Sequence, residues 1–134
     1  NVLSDPGLVT DEDCKEFITK RGKGWVFEIG NEIVGFSIVD LADNNVWALF
    51  LKPAYEKQGI GRQLHDIMLN WYFVQTKETI WLGTSASSRA ESFYRKAGWS
   101  ENGKHGDDEI KFVMRYEDWL DRNNQVDRHN LKNH

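Results

Sequence analysis

Between Val46 and Trp71 the chain changes its hydrophobic period once, and that change limits the folds open to it. V-W-A-L-F-L, Val46 to Leu51, is almost wholly apolar, which predicts a strand buried on both faces. Pro53 stops it, and from Ile60 the apolar positions fall at Ile60, Leu64, Ile67, Met68 and Trp71, the stripe of one helix face. A buried strand that feeds a long amphipathic helix through a glycine turn belongs to a layered domain. With 134 residues the chain supports one such domain, predicted over residues 1–116, followed by a polar tail over 117–134 in which Trp119, Leu120, Val126 and Leu131 could dock.

The flanking segments fill in the layers. Thr10 and Asp13 resemble a capping box, acids occupy Asp11 to Asp13, and Gly22 and Gly24 follow, which predicts a helix over 11–21. Trp25 to Ile29 and Glu32 to Leu41 are strands joined by Gly30-Asn31, a two-residue hairpin signal. Thr79 to Thr84 reads as a strand. Ala90, Phe93, Tyr94 and Ala97 then take helical spacing, with Gly98 just past the end. Trp99 opens a short strand, Lys104 to Asp108 is a polar loop, and Ile110, Phe112 and Met114 alternate along another strand. The fold class is α/β (α+β), a mixed and mostly antiparallel central sheet flanked by helices.

Charge and composition remove several classes of function. Seventeen basic against twenty-one acidic residues leave a net charge of -4, a poor match for nucleic acid and a mild attraction for cationic partners. No apolar run is long enough to span a bilayer, and Asn1 to Thr10 lacks a basic-then-apolar leader. The expected location is the cytoplasm. Cys14 alone makes neither an internal disulfide nor a thiolate cage, and His65, His105, His129 and His134 lack metal-ligand spacing, so no metal is expected. His65 reads as a surface residue of the long helix.

Two segments carry candidate chemistry. In E-K-Q-G-I-G-R, Glu56 to Arg62, Gly59 and Gly61 let a ligand approach backbone closely. Amides at the helix start face outward with the positive dipole end, while Lys57 and Arg62 add charge. Such a turn can cradle a pyrophosphate, and the same glycines also serve an ordinary tight turn. Neither a Walker A sequence nor the dinucleotide fingerprint fits, since Leu64 stands where the third glycine would be. The second segment, A-x-x-F-Y-x-K-x-G-W from Ala90 to Trp99, also reads by itself as a helix with a core aromatic.

Taken together, A-L-F-L-K-P, Q-G-I-G-R and A-x-x-F-Y-x-K-x-G-W resemble the GNAT superfamily of acetyl-CoA-dependent N-acetyltransferases, over Trp25 to Tyr116. The resemblance implies transfer of acetyl from acetyl-CoA, the cosubstrate, to a primary amine on a small molecule or peptide by direct attack in a ternary complex. It implies that backbone amides of Gln58, Gly59, Ile60, Gly61 and Arg62, with Lys57, hold the pyrophosphate. Leu49 and Leu51 would line the pantetheine arm, and Ser87 stands where the family often has asparagine. The Leu49 N–H would face the thioester carbonyl and Tyr94 the sulfur. Glu56 departs from the family's usual arginine or glutamine. The buried strand holds no acidic base, so Glu28, Glu32, Asp40, His105, Asp107 and Glu109 stand as substitutes. The missing base keeps a non-catalytic acyl-CoA sensor open as an alternative. The family's opening strand and helix have no counterpart before Trp25, which leaves that strand as an edge and predicts either a truncated chain or a covering neighbour. An exposed edge or the segment around Trp119 would support a homodimer.

Overall fold

A computed structural model of the protein describes residues 12–123. The chain forms two compact units, divided between Thr76 and Lys77.

The first unit is an antiparallel meander of β1 (Glu12–Ile18), β2 (Gly22–Ile29), β3 (Glu32–Asp40) and β4 (Asn45–Leu51), followed by a 3-10 turn (Pro53–Tyr55) and α1 (Ile60–Gln75). β1 corrects the helix expected over 11–21. Local capping signals lose to tertiary pairing. β1 lies along β2 from Lys23 to Ile29, and its charges are answered across the ladder, Lys15 by Glu28 at 2.9 Å and Glu16 by Lys23 at 3.0 Å. Phe17 pairs with Gly24 and its ring occupies the space a Cβ there would need, since Cζ would lie 2.3 Å away. The edge expected to be open at Trp25 to Ile29 is therefore covered by the chain's own β1.

Gly30 and Asn31 both have positive φ, 55° and 70°, as the predicted two-residue hairpin requires. Two irregularities shape the following strands. Phe27 pairs with Gly35 and Glu28 with Ile33, which leaves Val34 extra. Ile38 pairs with Ala48 and Val39 with Val46, which leaves Trp47 extra on β4. Such bulges redirect a side chain out of the regular alternation.

α1 packs on β2, β3 and β4. It buries Ile60, Leu64, His65, Met68, Leu69, Tyr72 and Phe73. The buried face is thus wider than the predicted stripe and rotated from it, with Ile67 and Trp71 at its margin. Gly35 admits Leu64, whose Cδ1 would sit 3.0 Å from a Cβ there, and the buried Ser37 hydroxyl donates to the Leu64 carbonyl at 3.1 Å. β4 does not bury both faces as its composition predicts: Trp47 is 70% exposed and Phe50 45%. The helix covers only one side of the meander, and apolar composition alone cannot specify a second cover.

The second unit holds β5 (Ile80–Ser85), α2 (Arg89–Lys96), β6 (Ser100–His105) and β7 (Glu109–Met114), with β7 antiparallel to both β5 and β6. Ser88 caps α2 by accepting from the Glu91 amide at 3.1 Å, while Glu91 accepts from the Ser87 amide at 2.7 Å. At the other end Gly98 is left-handed, and the amides of Gly98 and Trp99 return to the carbonyls of Arg95 and Tyr94. Residues 116–123 are helical, with Tyr116 and Trp119 packed ring to ring at 6.3 Å. Val126, Leu131, His129 and His134 lie outside the described residues. Seven strands, antiparallel within both units, with helices between them make a mixed α/β fold.

Candidate active site

The site begins where β4 ends. Leu49 and Leu51 are paired with Ser37 and Gly35 of β3, and the Lys52 amide makes one more bond, to the Val34 carbonyl at 2.8 Å. Proline then turns the chain: the amides of Tyr55 and Glu56 bond back to the carbonyls of Lys52 and Pro53. Lys57 and Gly59 follow in the left-handed region, at φ 68° and 81°, and the first helical return bond runs from the Gln63 amide to Gly59 at 3.0 Å. Among the described residues, no group accepts from the amides of Lys57, Gln58, Gly59, Ile60, Gly61 or Arg62. Left-handed residues beside a helix start gather amides into an anion-binding concavity. A Cβ at Gly59 would meet nothing within 4 Å, so this backbone stands open.

Charge around the turn is positive but partly committed. Lys57 is exposed and has no ionic partner among the described residues. Arg62 reaches Asp66 through Nε at 3.4 Å, which leaves its two terminal nitrogens for a ligand. Lys52 is ion-paired with Glu32. The predicted residues Leu49, Leu51 and Lys57 through Arg62 thus belong to one continuous strand–turn–helix segment of the first unit, whereas Ser87 and Tyr94 belong to the second.

Ser87 is exposed and left-handed at φ 59°, and its amide is used in the cap of α2. Tyr94 is buried, its ring packed edge-on against Phe93 and Trp99 at 5.4 and 5.6 Å and tilted against Phe112 at 6.2 Å. Burial pushes its phenol well above the ordinary tyrosine value. The group therefore stays protonated and suits hydrogen-bond donation, not service as a base.

The proposed substitutes for the missing base are largely occupied. Glu28 pairs with Lys15. Lys52, with help from Tyr55, holds the Glu32 carboxyl below the usual carboxylate range. Asp40 accepts from the amides of Ala42 and Asp43 and pairs with Arg21 at 3.2 Å. His105 lies tilted against Trp81 at 5.0 Å with Glu109 3.9 Å away, and Asp107 is exposed. His65 corrects the surface expectation: it is fully buried, and its Nδ1 lies 2.8 Å from Asp66 Oδ1. Its place follows from the rotated face of α1, one position beyond Leu64. Among the described residues no His, Cys, Asp and Glu side chains cluster as metal ligands, and no helix is long and apolar enough to cross a membrane. Trp47, which no local sequence signal marks, is turned outward by a bulge.

A mixed sheet whose strand leads through a turn of left-handed residues into a long helix defines the class, an α/β domain. Residues 20–101 match the family described as the acetyltransferase (GNAT) domain. Solved structures agree in fold. The chain is similar to an acetyltransferase of the GNAT family from Staphylococcus aureus Mu50, with TM-score 0.62, 25% identity, and coverage of 71% of this chain and 68% of that one. It is similar to PaiA N-acetyltransferase from Thermoplasma acidophilum in complex with coenzyme A, with TM-score 0.63, 20% identity and coverages of 69% and 60%. A third likeness is to PH1933 from Pyrococcus horikoshii OT3, with TM-score 0.61, 24% identity and coverages of 69% and 64%. The chain spans less than two thirds of the latter two. The protein belongs to the GNAT acetyltransferase family.

Proposed function

We propose that the protein is an N-acetyltransferase that moves acetyl from acetyl-CoA to a primary amine by direct attack in a ternary complex. The observation that carries this reading is the run of amides from Lys57 to Arg62 that no described group accepts from, at the start of a long helix in a member of this family. That cradle suits the pyrophosphate of coenzyme A, with Lys57 and the free nitrogens of Arg62 adding charge. Coenzyme A in the Thermoplasma relative supports the same cosubstrate.

Acetyl-CoA supplies an activated acyl group, and the amine nitrogen bonds to its carbonyl carbon as the carbon–sulfur bond breaks. The Leu49 N–H stabilises the negative charge that gathers on the carbonyl oxygen. The Tyr94 hydroxyl, held protonated by burial, donates to the departing thiolate. The amine must first lose a proton, because near pKa 10.4 only about 0.04% is neutral at pH 7. No side chain is assigned that task. The pairing of Glu28, Glu32 and Asp40 favours the second reading, an acyl-CoA sensor.

Calorimetry with acetyl-CoA, beside a thiol-release assay over a panel of amines, separates the readings. Binding with amine-dependent release is the expected result. Binding without release on any amine selects the sensor, and no binding at millimolar concentration removes both.

A further inference from the structure

Beside the outward-turned Trp47 lies a cleft of about 250 Å³, wholly within the first unit. The β1–β2 turn (Thr19, Lys20, Arg21), the end of β3 (Ile38, Asp40) and the Trp47 indole enclose it. We propose that this cleft receives the body of the acceptor, and that the acceptor is a small monoamine with an aromatic body. The proposal rests on the transferase reading above and adds the substrate class to it.

Position is the first argument. Trp47 stands two residues before Leu49 on β4, roughly 6–7 Å along a strand. An aromatic ring on the indole would thus carry its amine toward Leu49 on a short alkyl tether. The bulge at Trp47 supplies the side chain's direction, because a regular ladder would return it to the alternation of its neighbours. Its indole is 70% exposed, a large flat apolar surface on which an aromatic ring stacks well.

Charge is the second argument. Asp40, the one carboxylate in the lining, is spent: one oxygen accepts from the Ala42 and Asp43 amides and the other pairs with Arg21. Arg21 is neutralised in turn by Asp40 and by Asp43 at 2.8 Å. Lys20 is exposed and has no ionic partner among the described residues. The charges of Lys20, Arg21, Asp40 and Asp43 sum to zero, and the carboxylate in the lining is already paired, so the cleft offers a second cationic centre on the acceptor no anionic partner and disfavours polyamines. Size is the third. The volume is below the roughly 300–1,000 Å³ of sites for drug-sized ligands, enough for one ring system and not for a folded peptide segment.

The test uses the whole protein with 2-phenylethylamine and spermidine as acceptors and Trp47→Ala and Lys20→Glu as variants. By thiol release, 2-phenylethylamine should show a KM at least about tenfold below that of spermidine. Trp47→Ala should raise the 2-phenylethylamine KM about tenfold or more and leave the acetyl-CoA KM within about twofold. Lys20→Glu should lower the KM of spermidine. A preference for spermidine, or an acceptor KM that Trp47→Ala does not move, overturns the proposal. A second arm titrates 2-phenylethylamine, with and without coenzyme A, against the indole N–H resonance of Trp47. A saturable shift supports the cleft even if no amine is turned over, in which case only the transferase reading fails. No shift in either titration overturns the cleft.

Discussion

Gly59→Ala isolates what the turn before α1 does, because Gly30 provides a matched control. Both glycines are left-handed, at φ 81° and 55°, and at both a Cβ would meet nothing within 4 Å. Neither substitution creates a clash, so the structural cost is conformational. A left-handed L-residue costs about 1–2 kcal/mol, and the stiffer unfolded chain returns about 0.4–1. Each variant should lose about 1 kcal/mol in urea denaturation, roughly 4 °C in Tm for a chain of this length. Binding should separate them. A methyl group at Gly59 stands among the free amides and displaces a phosphate oxygen from at least one charge-assisted hydrogen bond, worth about 1.5–3 kcal/mol. Coenzyme A affinity, measured by calorimetry, should fall roughly 10- to 100-fold in Gly59→Ala and stay unchanged in Gly30→Ala. Equal affinity in the two variants, with equal loss of stability, would refute the cradle.

Other consequences follow from single contacts. Tyr94→Phe keeps the ring in its aromatic cluster, so coenzyme A binding should change by less than about twofold while kcat falls about 100-fold; unchanged turnover would remove Tyr94 from its role. Trp25→Phe should cost no more than about 1 kcal/mol in chemical denaturation, against about 3–5 for truncation to alanine. Its indole Nε1 is buried with no partner among the described residues, and phenylalanine removes that orphan while keeping a ring against Trp71. The Glu91 carboxyl accepts from the Ser87 amide and pairs with Arg95, which together hold it below its ordinary value of 4.5. A carboxyl lowered by folding stabilises above its unfolded value and loses that contribution as pH falls through the folded one. Thermal melts of Glu91→Gln should therefore show a shallower loss of stability below pH 4.5 than the parent protein.

Where a segment's own residues carried their conformational demand, the sequence was readable. Gly30-Asn31 tolerates positive φ at both positions, so the hairpin between β2 and β3 followed, and Gly98 ends α2 for the same reason. The turn from Glu56 to Arg62 was legible because glycine beside a helix start leaves few conformations and few uses. Cross-chain demands were not legible. β1 carries a helix-like start, yet Phe17 over Gly24 and the Lys15 and Glu16 ion pairs form only when β2 lies alongside.

Periodicity settled that α1 is a helix, but its depth of burial was decided by the sheet beneath it, which drew in His65 and Tyr72 and left Ile67 and Trp71 at the margin. Likewise V-W-A-L-F-L had to be a strand, while a one-residue offset against β3 sent Trp47 to solvent. Dihedral preferences and hydrophobic period are properties of neighbouring residues, so they survive in the bare chain. Register, bulges and which face finds a cover depend on residues distant in sequence, and they exist only once the strands have met.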